Sequence, residues 1–192
     1  LGYYYIIPRC FPTIIYILAS LVYLVAKRPA GIHAKETAAG RNAEGATMQI
    51  ALLLYRLSIT FWTGGITLFT FILTPMLFKS LSRDHAGQIV GILFPGYFRW
   101  GLACGVIALA SRLVMRTGEL APVVLLVIML ALTSFQAFYI EPRAAALKRQ
   151  IPSFDTTPKE DPLRREFSKL HGVSASCNLA VVAGGIALVV ML

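Results

Sequence analysis

His171, Ser174 and Asn178 stand three and four residues apart, a spacing that puts all three on one stripe of an α-helix. Donors and acceptors at successive depths are what a proton path or a small polar ligand needs. The same stripe would serve as hydrogen-bonding glue between helices, worth about 0.6 kcal/mol per bond in a bilayer. Tyr97, Arg99, Gln136 and Glu141 lie at the ends of neighbouring apolar runs and are expected to join the stripe in one polar cluster. A charge left alone near membrane depth is costly, which predicts an ion pair between Arg99 and Glu141. The same cost suggests a pair between Arg56 and Glu119, with Arg56 reaching out to the head groups as the alternative.

His171 also raises a metal or haem site. Either would need further ligands at matched geometry. His85 belongs to a separate segment, His33 lies near the amino terminus, and no two histidines stand at helical spacing. No catalytic residue, metal site or cofactor is therefore assigned; haem or metal on His171 stands as the alternative to plain binding. No Gly-rich phosphate loop, nucleophile elbow or metalloprotease motif occurs. Cys10, Cys104 and Cys177 are far apart in apolar surroundings and read as inert buried thiols.

Four apolar stretches must carry these groups: Gln49–Phe78, Pro95–Met115, Leu120–Ile140 and Gly172–Leu192. Each is long enough, at ~1.5 Å per helical residue, to cross a hydrocarbon layer ~30 Å thick. The chain is 57% hydrophobic and 14% charged over 192 residues, with a mean hydropathy of +0.69. That is too apolar for a water-soluble domain of this size. The expected class is an all-α integral membrane four-helix bundle, with the bilayer as its first partner and further membrane subunits, or a second copy, as others. The net charge of +9 does not indicate nucleic acid, because no basic run is interleaved with aromatic residues.

Basic residues in the connections fix orientation instead. Segment 79–99 carries Lys79, Arg83 and Arg99, and segment 141–170 carries Arg143, Lys148, Arg149, Lys159, Arg164, Arg165 and Lys169. The opposite side has Arg112 and Arg116 in the 112–119 turn. Both large connections are thus expected in the cytoplasm, with the chain in the inner or plasma membrane. Residues 1–47 weaken that asymmetry if they add a span. They contain an apolar run at 11–26 and an Ala- and Gly-rich stretch at 28–47, and read as a signal-like segment or extra helix plus linker, upstream of a start at Met48.

The first span exceeds a bilayer and must tilt, protrude or kink near Thr74–Pro75. Residues 80–94 suggest a short helix on the membrane surface, capped by Ser82. Gly64, Gly65, Gly101-x-x-x-Gly105 and Gly184–Gly185 read as close-packing sites between helices.

The motifs Phe61–Gly65, Phe94–Phe98, Glu141–Pro142 and Phe167–Leu179, the last containing His-Gly-x-Ser-x-x-x-Asn-Leu, resemble the transmembrane-protein-205-like family, a domain of unknown function, over about residues 49–192. The resemblance implies a small four-helix membrane protein without an established reaction. The expected function is a non-enzymatic bundle that binds a ligand or partner at the polar cluster. The alternatives are a redox or haem-associated protein using His171 and a subunit of a small transporter. Four spans without an inverted repeat leave a lone transporter subunit little room.

Overall fold

A computed structural model of the chain describes residues 38–191, with side chains placed from residue 44. The apolar run 11–26, Cys10 and His33 lie outside the described residues. The described chain is all helical. Helix α1 (Ala38–Thr67) passes through a π-helical segment (Leu68–Leu73) into α2 (Thr74–Ser80). Helix α3 (Arg83–Met115) is followed by α4 (Leu120–Phe135), a second π segment (Gln136–Ile140), α5 (Glu141–Gln150) and α6 (Pro162–Val190). Joined through the π segments, these make four rods, each long and apolar enough to cross a membrane.

The rods pack as a square, with α1 against α3 and α6, and α4 against the same two. Helix α1 contributes the stripe Ala51, Tyr55, Ile59, Trp62 and Ile66 at three- and four-residue spacing, which meets Ala108, Leu126, Met129 and Val181 in one apolar core. The outward faces are apolar as well: Leu53, Leu57, Phe61, Val106, Ile128 and Ile186 are exposed. A helix that is apolar on both its packed and its uncovered face is built for lipid rather than water.

Trp62 is the centre of this packing, with 2% of its surface exposed. Its indole runs along α3 where Gly101 and Gly105 leave room. A Cβ at Gly101 would stand 2.9 Å from Trp62 Nε1, and one at Gly105 would stand 2.7 Å from the Trp62 ring and 2.5 Å from Leu130 Cδ2. The small-xxx-small pattern thus receives a side chain rather than a backbone. Gly184 and Gly185 serve likewise, against Met129 and Thr63. Gly64 departs from its expected role, since a Cβ there would meet nothing within 4 Å.

Both π segments end two residues before a proline, at Thr74–Pro75 and Glu141–Pro142. Thr74 N–H bonds Phe69 O and Glu141 N–H bonds Gln136 O, each five residues back. Proline has no N–H to continue an α-helical ladder, and a wider turn ahead of it shifts the register. The long first span therefore meets Pro75 with a π segment.

Three boundaries differ from the sequence expectation. Residues 80–94 are not a separate surface helix: from Arg83 on they are the first turns of α3, capped by Ser82 Oγ, which accepts from His85 N at 3.4 Å. Buried Ala86 and Val90 extend the inward stripe of Phe98, Gly101 and Cys104, so packing carries the helix through Pro95. The 141–170 connection is mostly helix too. Buried Ile140 and Leu147 prolong the third rod to Gln150, and Asp161 caps α6, accepting from Leu163 N at 2.9 Å with Pro162 in the first turn. Only 151–161 is irregular. Helix α1 starts at Ala38, inside the stretch read as linker; Ala and Gly leave it without periodicity, but Ala favours helix.

Candidate functional site

The continuation of the rods, α3 ahead of Pro95 and the third rod beyond Ile140, creates a chamber at one end of the bundle. The first turns of α3, helix α5, the 151–161 loop and the first turns of α6 enclose a cavity of about 880 Å³. Pockets for small molecules have this size. Small residues make the space: Gly87 and Gly91 on α3 face Ala144 and Ala145 on α5. The side chain of Lys148 lies over the two glycines, its Nζ 3.4 Å and 3.6 Å from where their Cβ atoms would be.

The loop closing the chamber is fixed by two Ser-x-Asp tripeptides that meet. Asp84, in the first turn of α3, accepts from Ser153 Oγ at 2.6 Å and from Phe154 N at 2.7 Å. Asp155 accepts from Arg83 N at 3.0 Å and from Asp84 N at 3.4 Å, so it occupies the positive end of that helix. Buried Arg164 donates through Nη1 to Thr157 O and stands over the Phe154 ring, 5.8 Å from its centroid. Phe154 in turn packs edge-on against Phe167, and Phe167 lies parallel to His171.

Each wall changes character with depth. Near the loop the lining is Arg83, Lys148, Arg149, Lys159 and Arg164; deeper it becomes Val90, Phe94, Phe98 and Ile140. Glu141 is the carboxylate among the lining residues, and His171 and Ser174 present the other polar groups of the deeper wall. Behind that wall, Ser174 Oγ donates to Gln136 Oε1 at 2.9 Å and Tyr97 Oη donates to Asn178 Oδ1 at 3.2 Å. Among the described residues, Gln136 Nε2 is buried without a partner. Tyr97 is also stacked on Phe69 at 4.5 Å between centroids, in an aromatic layer shared with Phe94 and Phe98.

Most of the expected cluster is therefore assembled. Tyr97 with Asn178 and Gln136 with Ser174 form bonded pairs, while Glu141 and His171 face the cavity beside Ser174. Arg99 does not join them. It is exposed on the outer side of α3 and forms no ion pair with Glu141, because a turn at 100° per residue carries it away from buried Phe98. The Arg56–Glu119 pair is also absent. Glu119 instead holds Arg112 at 2.6 Å, since the tight turn after α3 brings the two together. Arg112 is buried under Tyr55, leaving neighbouring Arg56 on the exposed face. Among the described residues no three His, Cys, Asp or Glu side chains converge as metal ligands would. Cys104 is buried and Cys177 half-buried, both as free thiols.

Sequence reasoning missed the basic lining and the loop latch. Gly87-x-x-x-Gly91 repeats the small-residue spacing of Gly101-x-x-x-Gly105, and Ser82-Arg83-Asp84 repeats in Ser153-Phe154-Asp155. Both were visible signals.

Comparison with known proteins agrees with the bundle. A protein of Aquifex aeolicus (strain VF5) described as "Uncharacterized protein" is 32% identical over 124 residues, covering 65% of this chain and 83% of that one. No solved structure matches the chain. A family model described as Domain of unknown function (DUF4149) matches residues 57–153, from the core stripe of α1 through the helix that bears Lys148 into the latched loop, whereas the Phe167–Leu179 motif lies beyond the match. The chain belongs to that DUF4149 family.

Proposed function

We propose that this chain is a multi-pass membrane protein whose four rods cross the bilayer, with the chamber at the cytoplasmic end, and that it binds a small ligand there without transforming it. The observation that carries the reading is the chamber itself: about 880 Å³ walled by three helices and a latched loop. A loop this thoroughly tied to a helix end has a purpose beyond connection. The orientation rests on the basic residues, since Lys79, Arg83, Arg143, Lys148, Lys159, Arg165 and Lys169 gather at the chamber end and Arg56, Arg112 and Arg116 at the other. The likeness of the Phe167–Leu179 motif to transmembrane-protein-205-like proteins fits a small bundle of this kind.

Purification in a mild detergent, followed by mass spectrometry, metal analysis and an absorption spectrum of what comes with the protein, tests the reading. Ala144→Trp sets an indole into the chamber. It is expected to lower the occupancy of the co-purified ligand at least about tenfold, a loss of ~1.4 kcal/mol, with helicity unchanged. An unchanged occupancy would place the ligand elsewhere and remove the chamber from the account.

A further inference from the structure

We propose that the occupant of the chamber is an anionic lipid, its head group on the basic residues and its chain along the aromatic wall; this rests on the binding reading given above. Charge is the first argument. Among the described residues Lys148 has no ion pair or hydrogen-bond acceptor; Asp84 attracts it from beyond ion-pair distance, and that carboxylate is tied to the loop by Ser153 and Phe154. Lys159, exposed in the loop, lines the same end. With five basic residues and the one carboxylate of Glu141 in the lining, the excess positive charge favours an anion brought from outside.

Shape is the second argument. On α3 the lining runs from Arg83 to Phe98, ~22 Å of helix, and its polarity falls along the way. A free inorganic anion would use only the charged end. An amphiphile would use the whole length. The lining residue Ile92 is 78% exposed, so the chamber's rim reaches the uncovered face of α3, where acyl chains lie in the proposed bilayer. A lipid could enter sideways there without leaving the membrane.

Native mass spectrometry in a neutral detergent separates the sources. Phosphatidylglycerol, phosphatidylcholine and inorganic phosphate are offered at equal concentration. Phosphatidylglycerol is expected to occupy the protein about tenfold more than phosphatidylcholine, and phosphate is not expected to displace it. Lys148→Met with Lys159→Ala is expected to erase that preference, whereas Arg116→Ala, at the opposite end, leaves it intact. Equal binding of the two lipids, or displacement by phosphate alone, would overturn the proposal. So would a preference that survives Lys148→Met with Lys159→Ala. Ala144→Trp separates the two levels of the argument, with Ser168→Trp on the facing wall as its substitute should it not fold. If it removes both lipids and neither is preferred, the chamber stands and the anionic assignment falls. If phosphatidylglycerol stays bound with its preference intact, the lipid sits on the outer belt and both readings fall.

Discussion

Gly105→Leu is expected to cost the bundle its folded state in detergent, with thermal stability reduced by roughly 3 kcal/mol or more, the upper end of overpacking effects. A Cβ at this position would already lie 2.5 Å from Leu130 Cδ2 and 2.7 Å from the Trp62 ring, far inside the ~3.5–4.0 Å of a favourable carbon contact. Neither neighbour can step aside, because both are fully packed, Trp62 at 2% and Leu130 at 2% exposure. Helices α1, α3 and α4 would have to separate together. In lipid that loss is felt fully, since close packing rather than water exclusion holds such helices. Gly64→Leu is the control, with open space around its Cβ, and is expected to melt with the unmodified protein. Size-exclusion profiles and melting curves of the two variants decide the matter; equal curves would dismiss Trp62 as the keystone.

Asp84→Ala is expected to release the 151–161 loop and let trypsin cut after Lys159 at least about tenfold faster, as local opening governs cleavage of a structured segment. Asp84 receives both the Ser153 hydroxyl and the Phe154 amide, so its loss frees the loop at two adjacent residues. Phe154, which lines the chamber, would move with them. Glu160→Ala, in the same loop and exposed, should leave the rate unchanged. Equal cleavage of Asp84→Ala and the unmodified chain would show that the latch does not hold the loop.

The four apolar rods were legible because hydropathy and length alone decide which segments need a bilayer. The His171–Asn178 stripe was legible for a similar reason, as helical spacing fixes a face before any partner is known. The extensions of the rods were not. Arg83, Asp84 and Gln88 look like solvent-facing residues of a surface segment, yet Arg83 and Gln88 turn to a chamber and Asp84 to a loop some seventy positions away. The ion pairs were misread because pairing depends on rotation about the helix axis. Arg99 and Arg56 lie at suitable depths but on outward faces. Arg112 reaches Glu119, seven positions on, only because the chain turns between them.

In the proposed orientation the chamber end and the Arg116–Glu119 turn lie on opposite sides of a membrane, with the chamber in the cytoplasm. Thr156→Cys and Thr117→Cys, introduced separately into a chain with its own cysteines replaced, report this through an impermeant maleimide. Thr117→Cys is predicted to label in intact cells and Thr156→Cys only after permeabilisation. Labelling of Thr156→Cys in intact cells would put the chamber on the outer face and overturn the orientation.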